Sequence, residues 1–205
     1  MTAKTTLFFE AAEIGRKVIW LHTFGERMFE SAKGRPARPP QLPVAERPHI
    51  PKEGQIPQEL PDAISYEPTT RRLRIGDGFV ANVDAAVWNY EVSGKQVLGQ
   101  WFSYRKRDRS KPPMGDKRPP SPLDRIQPDH WLADYTTDLL DLLNVLGSLV
   151  QLEPQQSSLL TRVCSGPLIS ESELRDAGAL RVETSSTSAP FKKPGNEGKA
   201  IGDLF

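Results

Sequence analysis

A chain of 205 residues with 27 Lys and Arg against 26 Asp and Glu is almost neutral, so any surface for nucleic acid has to come from local segregation of charge rather than from the total. An apolar share of 37% is ordinary for a soluble globular domain, whereas 19 prolines, many of them clustered, set part of the chain apart as connector. One cysteine and three scattered histidines give no zinc-ligand spacing, and no apolar run approaches the roughly 20 residues of a membrane span. Glu10 and Glu13 interrupt the apolar positions that a secretory leader would need, so the expected location is the cytoplasm.

In chain order, Leu7, Phe8, Ala11, Ile14, Val18, Trp20 and Leu21 recur at three- and four-residue intervals, which predicts an amphipathic helix over 7–30 inside an N-terminal segment, 1–31. Residues 32–61 are Pro-rich and nearly without apolar periodicity, the mark of an extended connector that lies along a surface or stays mobile. The main domain is expected over 62–180, with a sheet over 62–94 and a helical part over 95–180. Ala63, Ile64 and Tyr66 begin a strand, and the next alternates Leu73 and Ile75 with Arg72 and Arg74. Gly76-Asp77-Gly78 supplies a tight turn, Phe79, Ala81 and Val83 the inward side of a further strand, and Val87, Trp88, Tyr90 and Val92 another β-prone run closed by Ser93-Gly94.

There the period changes. Val97, Trp101 and Tyr104, with Leu98 and Phe102, share one helical face. Residues 101–118 carry seven basic side chains (Arg105, Lys106, Arg107, Arg109, Lys111, Lys117, Arg118) against two acidic ones, Asp108 and Asp116. Thr137 to Leu152 reads as a largely buried helix, Pro154 as the start of a second one through Cys164, and Ser170 with Glu173 as the capping box of a short third. Cys164, among Leu159, Leu160 and Val163, is taken as a buried, reduced core residue, and 181–205 as a disordered tail. The fold class is α+β: a small, mostly antiparallel sheet with a basic helix and a C-terminal helical bundle.

No catalytic motif is legible. The chain has no Gly-rich phosphate loop ending in Lys-Ser/Thr, no dinucleotide fingerprint and no nucleophile elbow, and Glu197-Gly198-Lys199 lacks the Asp partner of a nuclease carboxylate-lysine motif. The basic segments are the remaining signal. Phosphate contacts need Lys and Arg, while base contacts favour Arg on guanine and Gln or Asn on adenine. Arg71, Arg72 and Arg74 from the strand ribbon, Lys95 and Gln96 after the next turn, and Arg105, Lys106, Arg107, Arg109 and Lys111 at the end of the helix are the candidate DNA-binding residues, expected to line one groove-facing surface. Each has an ordinary alternative, since basic residues complement a helix C-terminus and charged strand faces are commonly just solvated. Trp88, Trp101 and Tyr104 are read as packing aromatics rather than base-stacking platforms.

The ordered succession of motifs carries more than any single one. Tyr66-Glu67-Pro68 through Arg72-Leu73-Arg74-Ile75-Gly76-Asp77-Gly78, then Val87-Trp88-Asn89-Tyr90-Glu91-Val92-Ser93-Gly94, then Val97-Leu98 with Trp101 and Tyr104-Arg105-Lys106, resembles the C-terminal specificity domain of type ISP restriction-modification enzymes. Ser121-Pro122-Leu123-Asp124, Leu152-Glu153-Pro154 and Gly166-Pro167-Leu168-Ile169 continue the likeness, as do Gly15-Arg16 and Trp20-Leu21-His22-Thr23-Phe24-Gly25-Glu26-Arg27 upstream, so that it covers about residues 7–175. More distantly the succession resembles the target recognition domains of single-chain enzymes that combine methylation and cleavage.

The resemblance implies an asymmetric reader of a DNA target that positions the duplex so that an adenine can be flipped for N6 methylation. In the family such a domain follows a helicase-like motor and a methyltransferase domain that binds S-adenosylmethionine. No cofactor is expected on this chain; S-adenosylmethionine is expected only on a partner methyltransferase. The implied partners are double-stranded DNA and a separate methyltransferase or helicase chain docking on the N-terminal helix. The chain is then a split specificity subunit or a truncated remnant of a type ISP, DNA adenine-N6 methyltransferase system without catalytic motifs of its own. The alternative is a protein-protein interaction scaffold that keeps the fold and no longer reads DNA.

Overall fold

The computed structural model describes residues 5–106, 128 and 130–179. Helix α1, Thr5–His22, stops well short of residue 30. Phe24 N–H donates to the Leu21 carbonyl at 3.1 Å and Gly25 N–H to that of Trp20 at 2.9 Å. This crossed pair is a Schellman ending, whose left-handed position glycine usually occupies. Here Phe24 takes it, with φ 51°, at a cost of about 1–2 kcal/mol for a residue with a Cβ. Gly25 follows at φ 88°, against the Arg38 backbone, where a Cβ would stand 2.0 Å from the carbonyl oxygen.

The apolar residues Met28 and Phe29, which extend the helical periodicity in the sequence, lead instead into a hairpin. It is closed by the Glu30–Arg35 bridge around a 3-10 turn, Ser31–Lys33. Arg35 fixes this hairpin to α1. Its side chain is only 4% exposed; it donates to the Met28 carbonyl at 2.8 Å and pairs with Glu30 at 3.0 Å and with Glu13 of α1. A buried guanidinium is tolerated because it is paired and hydrogen-bonded.

The Pro-rich stretch that follows is an integral layer of the core. Pro40, Leu42 and Leu60 are buried, Ile50 and Ile56 pack on the same cluster, and His49 bridges Ala81. At its centre the Leu42 N–H donates to Asn144 Oδ1 at 2.9 Å, and the Leu42 side chain fills the space left by Gly147, where a Cβ would stand 2.6 Å from Leu42 Cδ1.

The sheet is β1, Ile64–Glu67, β2, Arg72–Ile75, and β3, Gly78–Val80, antiparallel in that order, with Tyr66 opposite Leu73 and Leu73 opposite Val80. Leu73 and Ile75 are fully buried, so Arg72 and Arg74 take the outer face, as alternation requires. The expected β run over Val87 to Val92 is divided. Asp84 caps a short helix α2, Ala85–Trp88, by accepting the Ala86 N–H at 2.9 Å, and only β4, Glu91–Val92, pairs with β5, Lys95–Gln96. Here side-chain capping overrides β propensity. Ser93 and Gly94, both at positive φ, form the two-residue turn between β4 and β5.

Helix α3, Val97–Ser103, buries Leu98 and Phe102. Helix α4, Ala133–Cys164, is a single helix of 32 residues with Pro154 inside it. The expected break at Pro154 is absent because the proline falls where α4 leaves the core. Leu152 is buried but 153–158 are exposed, and the carbonyl that proline deprives of a partner, that of half-buried Val150, borders a cleft where water can serve it. For the same reason Cys164 is exposed rather than in the core. Helix α5, Glu171–Asp176, carries the capping box of Ser170 and Glu173 as read from the sequence. The tail over 181–205 lies outside the described residues.

The architecture is α+β. One apolar cluster joins Trp20 and Leu21 of α1, Leu73, Ile75 and Val80 of the sheet, Leu98 and Phe102 of α3, and Leu139, Leu143, Leu146 and Leu152 of α4. Much of the α1 stripe is therefore covered by α4, while Phe8, Phe9 and Ile19 remain exposed.

Candidate nucleic-acid interface

The basic residues of the sheet meet partners within the molecule. Arg74 Nε donates to the Glu67 carboxylate, Arg72 lies over the Phe79 ring at 4.2 Å, and Arg71, at φ 52° in the turn between β1 and β2, donates to Asp84 at 3.3 Å. These contacts are partly exposed, so each pair holds its arginine weakly. Lys95 is exposed on β5, whereas the Gln96 amide is committed to the Trp88 carbonyl at 2.6 Å.

Hydrogen bonds from Arg74 and then Thr70 hold the Glu67 carboxyl below its ordinary range; a hydrogen bond from Arg35 does the same for Glu13. A depressed carboxyl stabilises the fold above its unfolded pKa, and that contribution is lost as pH falls through the folded value. The melting temperature is thus expected to fall between neutral pH and pH of about 3, and the fall should be smaller in Glu67→Gln. An identical fall in that variant would remove Glu67 from the acid response.

Arg105, at the end of α3, is less exposed than the paired Arg71 and Arg74. Its guanidinium lies 4.2 Å from the Trp101 ring and 5.2 Å from the Tyr135 ring, donates to the Trp101 carbonyl at 3.0 Å, and stands 3.6 Å from Asp138. Its Nε is buried without a hydrogen-bond partner. Lys106 follows, half-buried. Arg107, Arg109 and Lys111 lie outside the described residues. Trp88 and Trp101 pack against the core as expected, but Tyr104 is 60% exposed.

Of the clefts that border α4, two hold candidate residues. The larger, of about 670 Å³, lies between the turn after α1, α3, and Asp138, Asp141 and Leu142 of α4; Arg105 forms part of its wall. The smaller, of about 360 Å³, contains Arg71, Asn82 and Asp84 beside Gly147, Val150 and Gln151. At about 100° per residue these two sets of α4 positions project from opposite sides of the helix. Among the described residues, Arg71 and Arg105 therefore lie at clefts on opposite sides of α4, and several of the candidate cations are committed to internal partners.

Residue patterns gave no warning of the acidic side of the larger cleft. Asp138 and Asp141 read as the polar stripe of a buried helix, but Asp141 is half-buried, and burial, then the charge of Asp138, raises its carboxyl above the ordinary range. Among the described residues no group of His, Cys, Asp and Glu could hold a metal ion, and no helix is long and apolar enough to cross a membrane.

Among curated proteins and among solved structures, nothing matches the chain. The family described as the type ISP C-terminal specificity domain matches residues 1–142, a span that takes in α1, the Pro-rich layer, both sheets, α3 and the first turns of α4. Since that span is more than half of the 205 residues, the chain belongs to the type ISP C-terminal specificity domains, a family of DNA target recognition in restriction-modification systems.

Proposed function

We propose that this domain binds double-stranded DNA and reads its sequence for a type ISP restriction-modification enzyme that methylates adenine at N6. The family match over residues 1–142 is the observation that carries this reading. Arg71, Arg72, Arg74 and Lys95 on the sheet side, and Arg105, Lys106, Arg107, Arg109 and Lys111 at the end of α3 and beyond it, are the proposed phosphate contacts, with Gln96 as a base contact. Because α4 stands between Arg71 and Arg105, these two would meet different stretches of backbone. Arg71, Arg74 and Arg105 would exchange an internal carboxylate for a phosphate.

The proposed partner is a methyltransferase or helicase docking on the N-terminal helix, and S-adenosylmethionine would be held by the methyltransferase. Its docking face on α1 is the outward one bearing Phe8, Phe9 and Ile19, since Leu7 and Leu21 are already buried.

Salt titration of duplex binding tests the reading. With four to six phosphate contacts, log affinity is expected to fall against log salt with a slope of about −4 to −5. The double variant Lys95→Glu with Lys106→Glu should flatten that slope by about 2, one for each lost contact. Binding that ignores salt, or no binding, would favour the scaffold reading, which the internal pairing of Arg71, Arg74 and Arg105 supports.

A further inference from the structure

The larger cleft has a chemistry that phosphate contacts do not use. Its lining combines aromatic rings, Trp101 and Phe24, with carboxylates, Glu26, Asp138 and Asp141, and with cations, Arg27 and Arg105. A duplex backbone would be repelled by the carboxylates, and a lone cationic side chain would leave the two arginines without use. A single nucleotide satisfies both, because its phosphate is an anion while adenine and cytosine carry an exocyclic amine that a carboxylate can accept.

Phe24 adds an independent observation. It occupies the left-handed position that ends α1, where glycine is favoured, yet its side chain is 40% exposed on the rim of the cleft. Backbone strain kept for a side chain that the fold does not bury is found where that side chain has a task. The strained turn is also firmly built. Thr23 Oγ1 donates to the Ile19 carbonyl at 2.8 Å and accepts the Arg27 N–H at 3.1 Å, so Phe24 is presented on a fixed frame.

We propose that the cleft between the turn after α1, α3 and α4 binds one unstacked nucleotide whose base carries an exocyclic amine. The base stacks on Phe24, its amine donates to Asp141, and its phosphate meets Arg27. This deepens the DNA-reading proposal and rests on it, placing a base pocket within the specificity domain itself.

The test uses the full chain and short single-stranded oligo(dA), oligo(dC) and oligo(dT), followed by tryptophan fluorescence. Oligo(dA) and oligo(dC) are expected to bind about tenfold tighter than oligo(dT), since thymine has no exocyclic amine. Asp141→Asn should lose the preference, because an amide donates to thymine as readily as it accepts from adenine. Phe24→Gly should weaken oligo(dA) binding about tenfold or more, by the loss of stacking, while its melting temperature stays level or rises because the strained position is relieved. A merely structural Phe24 would give the reverse. Equal binding of all three oligonucleotides, unchanged binding in Phe24→Gly, or displacement of oligo(dA) by a short arginine peptide in preference to free deoxynucleotides would overturn the proposal. Salt-dependent duplex binding, measured alongside, separates the two readings: if it is present while the oligonucleotides are not distinguished, only the pocket fails.

Discussion

Asn144→Leu is expected to destabilise the fold by about 2–3 kcal/mol, because it strands a backbone donor that has no water to turn to. Asn144 is 4% exposed in the middle of α4, and its Oδ1 is the acceptor for the Leu42 N–H at 2.9 Å. Leucine has the same branched skeleton as asparagine, though it is bulkier, and suits a helix better, so shape and propensity both argue for tolerance. The loss would then isolate the unmade hydrogen bond. Chemical denaturation should show a lower midpoint with an unchanged slope. A change under about 0.5 kcal/mol would mean that the Pro-rich layer finds another acceptor and is not clamped there.

A second large effect is expected at Leu21, which is fully buried where α1 meets the common apolar cluster. Leu21→Ala should cost about 3 kcal/mol, from lost apolar burial and the cavity left behind. Removing α1 altogether should leave a chain that does not fold cooperatively, rather than a stable domain deprived of a docking helix. Differential scanning calorimetry distinguishes these outcomes: a sharp transition retained after the deletion would show that α1 is an accessory. Phe9→Ser, on the exposed side of the same helix, is the internal comparison and should leave the transition near its original temperature.

Much of the sheet was legible because its signals are local. The alternation of Leu73 and Ile75 with Arg72 and Arg74, and the turns at Gly76 and Gly94, depend only on strand period and on positive φ. The capping box of Ser170 and Glu173 was legible for the same reason. Periodicity failed where the chain changes direction without losing its apolar residues, as at Phe24, where a Schellman ending forms on a phenylalanine. It failed again at Pro154, where a proline that breaks a buried helix is tolerated on an exposed one. The candidate interface was the least legible part. Which carboxylate an arginine meets depends on tertiary placement, and nothing in the spacing of Arg74 and Glu67, or of Arg105 and Asp138, declares a pair.

The clasp between Leu42 and Asn144 joins positions 102 residues apart, and Glu10 meets Arg162 across 152. Contacts of such separation give nothing back until a very long loop has been closed, which slows folding in proportion to the ordering that must come first. During synthesis α1 has no surface to settle on until the long helix has cleared the ribosome. Until then its apolar face stays open to water beside the exposed Phe8 and Phe9, and a prematurely terminated product would retain the hairpins yet be unable to secure its own beginning.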